Sequence, residues 1–388
     1  MVNIYLKRTK MNLTKKLFLG LGIGAGAIAF AQSNVQPVLT GAPFLRISPD
    51  ARAGGMGDQG VVTSTDVFSQ FWNAAKYPFA KVSSGVGVNY TPYMSKLTSD
   101  VFLLYGSFYT FLGDDERSTL SASLYYFNMG EVNLTSLNAT GGVDDNGTVK
   151  PNEFSIDLAY GLKLSDTYSM AVTGRFIRSD LGGNFGSNGT LKPANTFAVD
   201  VSGYFMSPRH TSISGYEGRV KAGWAVQNIG PKLDYSGDEE SRSYLPTMAR
   251  LGLGYDLLID DMNRFSLSGE ASKILVPGVD ETTGEIPNVG PIEGIGKSFS
   301  NKKSIMFSGG AEYSYDETFA IRAGYFTEAP EQGARQYATV GVGFKYSSFG
   351  LDLSYLINTS KINTALDNTL RFGLTWNIGS ETYNATDY

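Results

Sequence analysis

From Gly85 onward the chain repeats one pattern: stretches of about ten residues in which apolar positions alternate with small or polar ones, each followed by a turn. In "EFSIDLAYGLKLS", Phe154, Ile156, Leu158, Tyr160, Leu162 and Leu164 share one parity, while Ser155, Asp157, Ala159, Gly161 and Lys163 share the other. Successive residues of a strand point to opposite faces, so the segment predicts a strand with one fully apolar side. "TFAVDVSGYF", "RVKAGWAVQN", "RLGLGYDLL" and "TLRFGLTWNIG" read the same way. Fourteen strands are predicted, near 85–94, 100–112, 118–130, 153–164, 167–179, 196–206, 217–229, 247–258, 264–274, 304–315, 318–328, 336–346, 349–357 and 368–378.

A large β-sandwich with a dry core and a closed membrane barrel both fit such strands. The connections favour the barrel. Long ones (131–152, 180–195, 230–246, 275–303 and 329–335, with shorter members at 95–99 and 358–367) alternate with a mostly short set (Gly113 to Arg117, Ser165-Asp166, Ile259 to Asn263, Asp316-Glu317, Ser347-Ser348), in which only 207–216 is longer. Outer-membrane barrels pair an even strand number with long loops at one end and tight turns at the other. The polar parity also carries charge on most strands: Asp157, Arg175, Asp200, Lys221, Arg250, Glu270, Glu312, Arg322, Lys345, Asp352 and Arg371. Singly buried charges cost several kcal/mol each, whereas five acids and six bases lining a wetted, partly plugged lumen can pair and hydrate. Glycines on the same parity (Gly161, Gly223, Gly252, Gly254, Gly324, Gly341, Gly343, Gly373) leave room for something that fills the lumen. In lipid only a closed sheet satisfies every backbone group. The expected fold is therefore an all-β, 14-stranded antiparallel transmembrane barrel. Tyr160, Tyr168, Trp224, Tyr255, Tyr313, Tyr325, Tyr355 and Trp376 are candidates for its aromatic girdles.

Composition narrows the function. Charged residues make up 18% of the 388 and the net charge is −5, which speaks against an electrostatic nucleic-acid binder. Cysteine is absent and His210 is the single histidine, so thiolate and histidine metal sites are not expected. Asp114-Asp115-Glu116, Glu239-Glu240 and "VDDNGT" read as solvated turns and a hairpin tip, and no nucleophile, base and oxyanion site assembles. No catalytic residue, cofactor or metal is expected.

The N-terminus reads as an export signal. After Met11 (the alternative start to Met1) come Lys15 and Lys16, an apolar run from Leu17 to Ile28, and a small-x-small site at Ala29-Phe30-Ala31 before Gln32. The expected layout is a signal peptide over 1–31, a plug segment over 32–84, the barrel over 85–378 and a periplasmic tail over 379–388. The plug expectation rests on Gly54, Gly55 and Gly57, which permit tight turns and close backbone approach. Irregular backbone at membrane depth is tolerated only where protein or water surrounds it.

"APFLRISPDARAGGMGDQGVVTSTDVFSQFWNAAKYPFA" then carries a resemblance. It is similar to the N-terminal signature of the PorV family, outer-membrane barrels of the Bacteroidetes type IX secretion system within the FadL-like superfamily. The matching positions include Pro43, Phe44, Leu45, Asp50, Arg52, Gly54, Gly55, Gly57, Trp72 and Asn73. Where the family tends to have Asn-Pro-Ala this chain has Asn73-Ala74-Ala75, which removes a rigid turn. The resemblance implies a non-enzymatic carrier in the outer membrane, with its long loops outside the cell. Its implied partners are an SprA-like translocon barrel, secreted proteins bearing a C-terminal signal domain, a PorU-like sortase attachment complex and outer-membrane lipid. The alternative is a FadL-like channel for a hydrophobic small molecule.

Overall fold

Alternation of the kind seen at 153–164 becomes a wall with two chemistries. In the computed structural model Ile156, Leu158 and Tyr160 are exposed, while Ser155, Asp157 and Ala159 are buried. The structure describes residues 38–95, 98–137, 142–184, 190–211, 215–237, 242–280, 286–300, 304–329, 332–361 and 364–382. The expected signal peptide over 1–31 and the tail beyond residue 382 lie outside these.

Fourteen strands form the wall: β1 Val82–Pro92, β2 Val101–Leu112, β3 Ser118–Met129, β4 Asn152–Ser165, β5 Tyr168–Asp180, β6 Ala194–Met206 and β7 Glu217–Ile229; then β8 Met248–Leu258, β9 Asn263–Ile274, β10 Ile305–Tyr315, β11 Phe319–Glu328, β12 Gln336–Tyr346, β13 Phe349–Asn358 and β14 Leu370–Glu381. Each pairs antiparallel with its sequence neighbours, and β1 closes on β14 with Val86 opposite Trp376 and Tyr90 opposite Phe372. Closure leaves no unpaired edge, which is what hydrocarbon demands. The strand ends differ from expectation by a few residues. β1 begins at Val82 rather than at 85, because the chain turns from the lumen into the wall immediately after Lys81. β14 runs to Glu381, three residues past the expected end at 378, where it is held by pairing of Glu381 with Val82.

The outward side is apolar all round, with Phe197, Leu251 and Leu253 each more than 60% exposed. A continuous apolar band of this extent is far beyond the few hundred Å² that a water-facing monomer shows. Of the expected girdle residues, Tyr160, Tyr168, Tyr255, Tyr313 and Trp376 sit in the short-turn halves of their strands. Tyr325 and Tyr355 sit in the long-loop halves. Trp224 lies near mid-strand and donates its indole N–H to Tyr168 Oη at 3.2 Å. At the long-loop end, residues 132–137 and 143–149 pair as a separate hairpin, and a helix, Pro291–Ser298, interrupts the β9–β10 connection. His210 and Thr211 form a two-residue strand that extends the sheet beside β7.

Candidate functional site: the plugged lumen

Residues ahead of β1 occupy the inside of the barrel. Val38 packs at the long-loop end with Tyr244, Met248 and Ile274. Lys81, at the other extreme, meets the β10–β11 turn through Glu317. Between them the chain has no room for long regular elements and uses short ones: a 3₁₀ turn at Pro43–Arg46, a helical turn at Ala51–Gly54, another at Ser69–Trp72, and a 3₁₀ stretch at Ala74–Phe79. Pro43 is exposed and starts the first turn directly after Ala42, whose φ is +46°. Phe44 and Leu45 are buried, with Phe44 5.2 Å from the Tyr125 ring.

Asp50 organises the middle of the plug. One carboxylate oxygen accepts from Ala53 N at 2.7 Å, capping the Ala51–Gly54 turn, and the other accepts from Trp72 Nε1 at 2.5 Å. The two signature stretches are thereby tied together across 22 residues. Burial, then the nearby Asp66 charge, pushes the Asp50 carboxyl up to about 6. Asn73 Nδ2 donates to Val61 O and to Gly203 O in β6, while its Oδ1 accepts from Ala75 N. The 3₁₀ turn that follows forms on this Asn73 side-chain bond, so Ala74 stands in for the family's proline without losing the turn. Lys76 is fully buried and donates to Gly60 O at 2.8 Å and Thr63 Oγ1 at 3.1 Å. Burial drops its ammonium to about 8.

Each buried N–H must find a partner, and the wall supplies several. Ala51 N donates to Asn89 Oδ1, Gly57 N to Thr339 Oγ1, and Gly60 N and Val61 N both to Glu270 Oε2. Arg52 forks onto Glu312, with Nη2 3.0 Å from Oε1 and Nε 3.1 Å from Oε2, and reaches Asp66 at 2.8 Å. Asp58 pairs with Arg371, accepting from its Nη2 at 3.2 Å, and accepts from Tyr337 Oη at 2.7 Å.

Of the eleven charges expected in the lumen, nine are less than 10% exposed: Asp157, Arg175, Asp200, Lys221, Arg250, Glu270, Glu312, Arg322 and Arg371. They form discrete groups. Arg175 bridges Asp157 and Asp200 at 2.9 and 3.1 Å; Lys221 meets Asp256 at 2.6 Å; Arg250 meets Glu270 at 2.8 Å. Arg322 spans Glu312 and Asp352 at 2.6 Å each. The expectation of a wetted lining is corrected in this band: the plug packs against these groups, and pairing compensates them. Lys345 stands apart at the short-turn mouth, 3.8 Å from Glu317 and partly exposed. Sequence reading did not single out Asp58, Asp66, Asn89 or Arg264. Asn89 carried a usable signal, since it is the polar residue at lumen parity between Val88 and Tyr90.

Glycines on the two sides face each other. A Cβ on Gly324 would lie 2.2 Å from Gly57 N, and one on Gly341 would lie 3.0 Å from Gly55 Cα. Gly57 itself has φ +80°, a left-handed conformation that glycine adopts without strain.

Closed wall, nearest-neighbour pairing and an inserted N-terminal plug define a plugged 14-stranded antiparallel barrel. Comparison with solved structures agrees on the fold. The Ralstonia pickettii toluene transporter TbuX superposes with TM-score 0.50 at 11% identity, over 85% of this chain and 97% of that one. The P. putida toluene transporter TodX gives 0.51 at 9% identity, over 85% and 98%. Within that class the assignment is narrower: residues 30–281 match the family described as type IX secretion system protein PorV, and the chain belongs to that family. It is thus an outer-membrane component of that secretion system, in a family that is not one of enzymes. Among curated proteins no sequence matches.

Proposed function

We propose that this barrel is a carrier rather than a conduit. It holds the C-terminal signal domain of a secreted protein at an SprA-like translocon and hands it to a PorU-like surface attachment complex, with no catalytic step of its own. The observation that carries this reading is the filled lumen. Arg52, Asp58 and Asn73 lock the chain's own N-terminal residues against the wall, so the surfaces left for recognition are the long loops and the outer face. With the long loops outside the cell, a groove of 760 Å³ between residues 229–234 and 288–292 offers a concave seat for cargo. Beside it, the Pro291–Ser298 helix presents Ile292, which is 72% exposed. The FadL-like channel reading finds less support. A hydrophobic solute of the kind named for TodX and TbuX needs an apolar path, and the band around this plug is made of ion pairs.

The test is capture of a recombinant C-terminal signal domain by the purified barrel in detergent. Saturable binding that falls when 275–303 is replaced by a short turn supports the carrier reading. No binding by the intact barrel, together with uptake of a hydrophobic solute by liposomes containing it, would overturn it.

A further inference from the structure

We propose that the short-turn rim between β11 and β14 binds one anionic phospholipid. Its acyl chain lies in an aromatic recess on the outer wall, and its phosphate reaches a cation cluster just inside the mouth. The inference is independent of cargo binding, which concerns the opposite end of the barrel.

Two cavities meet at this rim. The inner one, 210 Å³, opens at the short-turn end beside Lys81, Arg264, Glu317 and Lys345. Glu317 is the shared partner of all three cations: Lys81 contacts it, Arg264 Nη1 is 3.9 Å away and Lys345 Nζ 3.8 Å away. One carboxylate cannot neutralise three cations. Two further acids lie near Arg264, and both are already engaged: Glu312, 4.0 Å away, is bound by Arg52 and Arg322, and Asp256 is bound by Lys221. Both Arg264 contacts are longer than hydrogen bonds. Its guanidinium donates none among the described residues, and its Nε is buried without a partner. A planar fork of N–H groups is well matched to phosphate oxygens, and this fork stands unused beside the cavity.

The outer recess, 710 Å³, lies directly across the wall and is lined by Phe319, Phe344, Phe349, Leu374 and Trp376. Phe349 and Trp376 stack with centroids 5.7 Å apart and planes 9° from parallel. Thr318, Lys345 and Gly350 line both cavities. Phe344 and Lys345 are consecutive on β12, so one faces the recess and the other the mouth. An amphiphile is the occupant that uses both: acyl carbon on the rings, anionic head over the rim at Lys345 and Arg264. The excess positive charge selects a net-anionic head over a zwitterionic one.

The experiment uses the full chain, purified and delipidated, incubated with phosphatidylglycerol or with phosphatidylcholine of the same acyl composition, and read by native mass spectrometry. One phosphatidylglycerol per barrel is expected, retained about tenfold better than phosphatidylcholine, the scale of one charge-assisted hydrogen bond. Lys345→Gln with Arg264→Gln should bring the two lipids level. Trp376→Ala should weaken both lipids while keeping the preference. Lys345→Gln alone, at a partly exposed position, carries the test if the double variant does not fold by gel-shift assay. Equal retention of the two lipids, unchanged phosphatidylglycerol retention in the folded variant, or displacement of the lipid by inorganic phosphate alone would each overturn the proposal.

Discussion

On the β9–β14 side of the lumen the plug is held by charge; on the β2–β7 side it is held by rings and small side chains. On the first side Glu312, Arg371 and Glu270 reach across to Arg52, Asp58 and the Gly60 and Val61 N–H groups. On the second side Tyr77 stacks on Tyr109 at 4.6 Å, and Phe79 meets Tyr204 edge-on at 5.5 Å. Ala159 and Ala171 provide the flat ground between them. Wall charges exist there too, but Arg175, Asp157 and Asp200 pair among themselves. The difference teaches a division of labour. Apolar packing is tolerant of small slips, whereas a buried charge left without its partner is costly. The charged side therefore fixes where along the lumen the plug stops, and the apolar side supplies adhesion.

The largest test of that division is Glu312→Ala. It leaves Arg52 and Arg322 buried without this partner and should weaken seating by about 3–5 kcal/mol, read as lost hydrogen-exchange protection over residues 50–62. The fluorescence of the aromatic side should change much less.

The second test uses pH. The Asp50 carboxyl sits at about 6 in the seated plug, chiefly through burial, against an ordinary 3.8. The seated state holds this proton more tightly than the released one, so protection should fall as pH rises from about 4 to about 6 and level off above. The expected loss is about 3 kcal/mol, and Asp50→Asn should remove the slope. Lys76 acts in a separate window. Its ammonium is lowered to about 8 from 10.5, so protection should rise again between those values, and Lys76→Met should abolish that rise.

Gly324→Ala comes next. The added methyl meets the Gly57 backbone, which cannot swing aside as a side chain can, and a cost of about 1–3 kcal/mol is expected. Gly254→Ala, on a glycine of the same parity that faces Lys221 and Ser268 instead of the plug, should cost less; thermal gel-shift midpoints compare the two. The smallest effect is expected from Tyr77→Phe, which keeps the stack and loses the hydroxyl bonds to Val67 O and Gln70 N, about 1 kcal/mol.

The wall was legible because parity is a local signal: Ile156 and Asp157 announce opposite faces within two residues. The lumen glycines were legible as a class, yet their partners were not. Gly223, Gly324 and Gly341 receive the plug, whereas Gly343 makes room for Asp352 and Arg322. The Arg52–Glu312 contact joins residues 260 apart, and only closure of the ring brings them together. Lys76 sat inside the quoted signature, but its burial among backbone acceptors follows from the fold of a segment that has no period. Lys345 shared its parity with the buried charges and differs only in height along its strand, which alternation does not encode.

A hollow cylinder of sheet flattens easily when squeezed. Here Arg52 reaches one flank and Tyr77 the opposite one, joined by barely 25 residues of close-packed chain, much as spokes join a rim to its hub. Dense packing transmits displacement rather than absorbing it. Pressure applied to the outside of β10 by a neighbour in the membrane is therefore delivered to β2, and the cross-section stays round under loads that would make an empty tube oval.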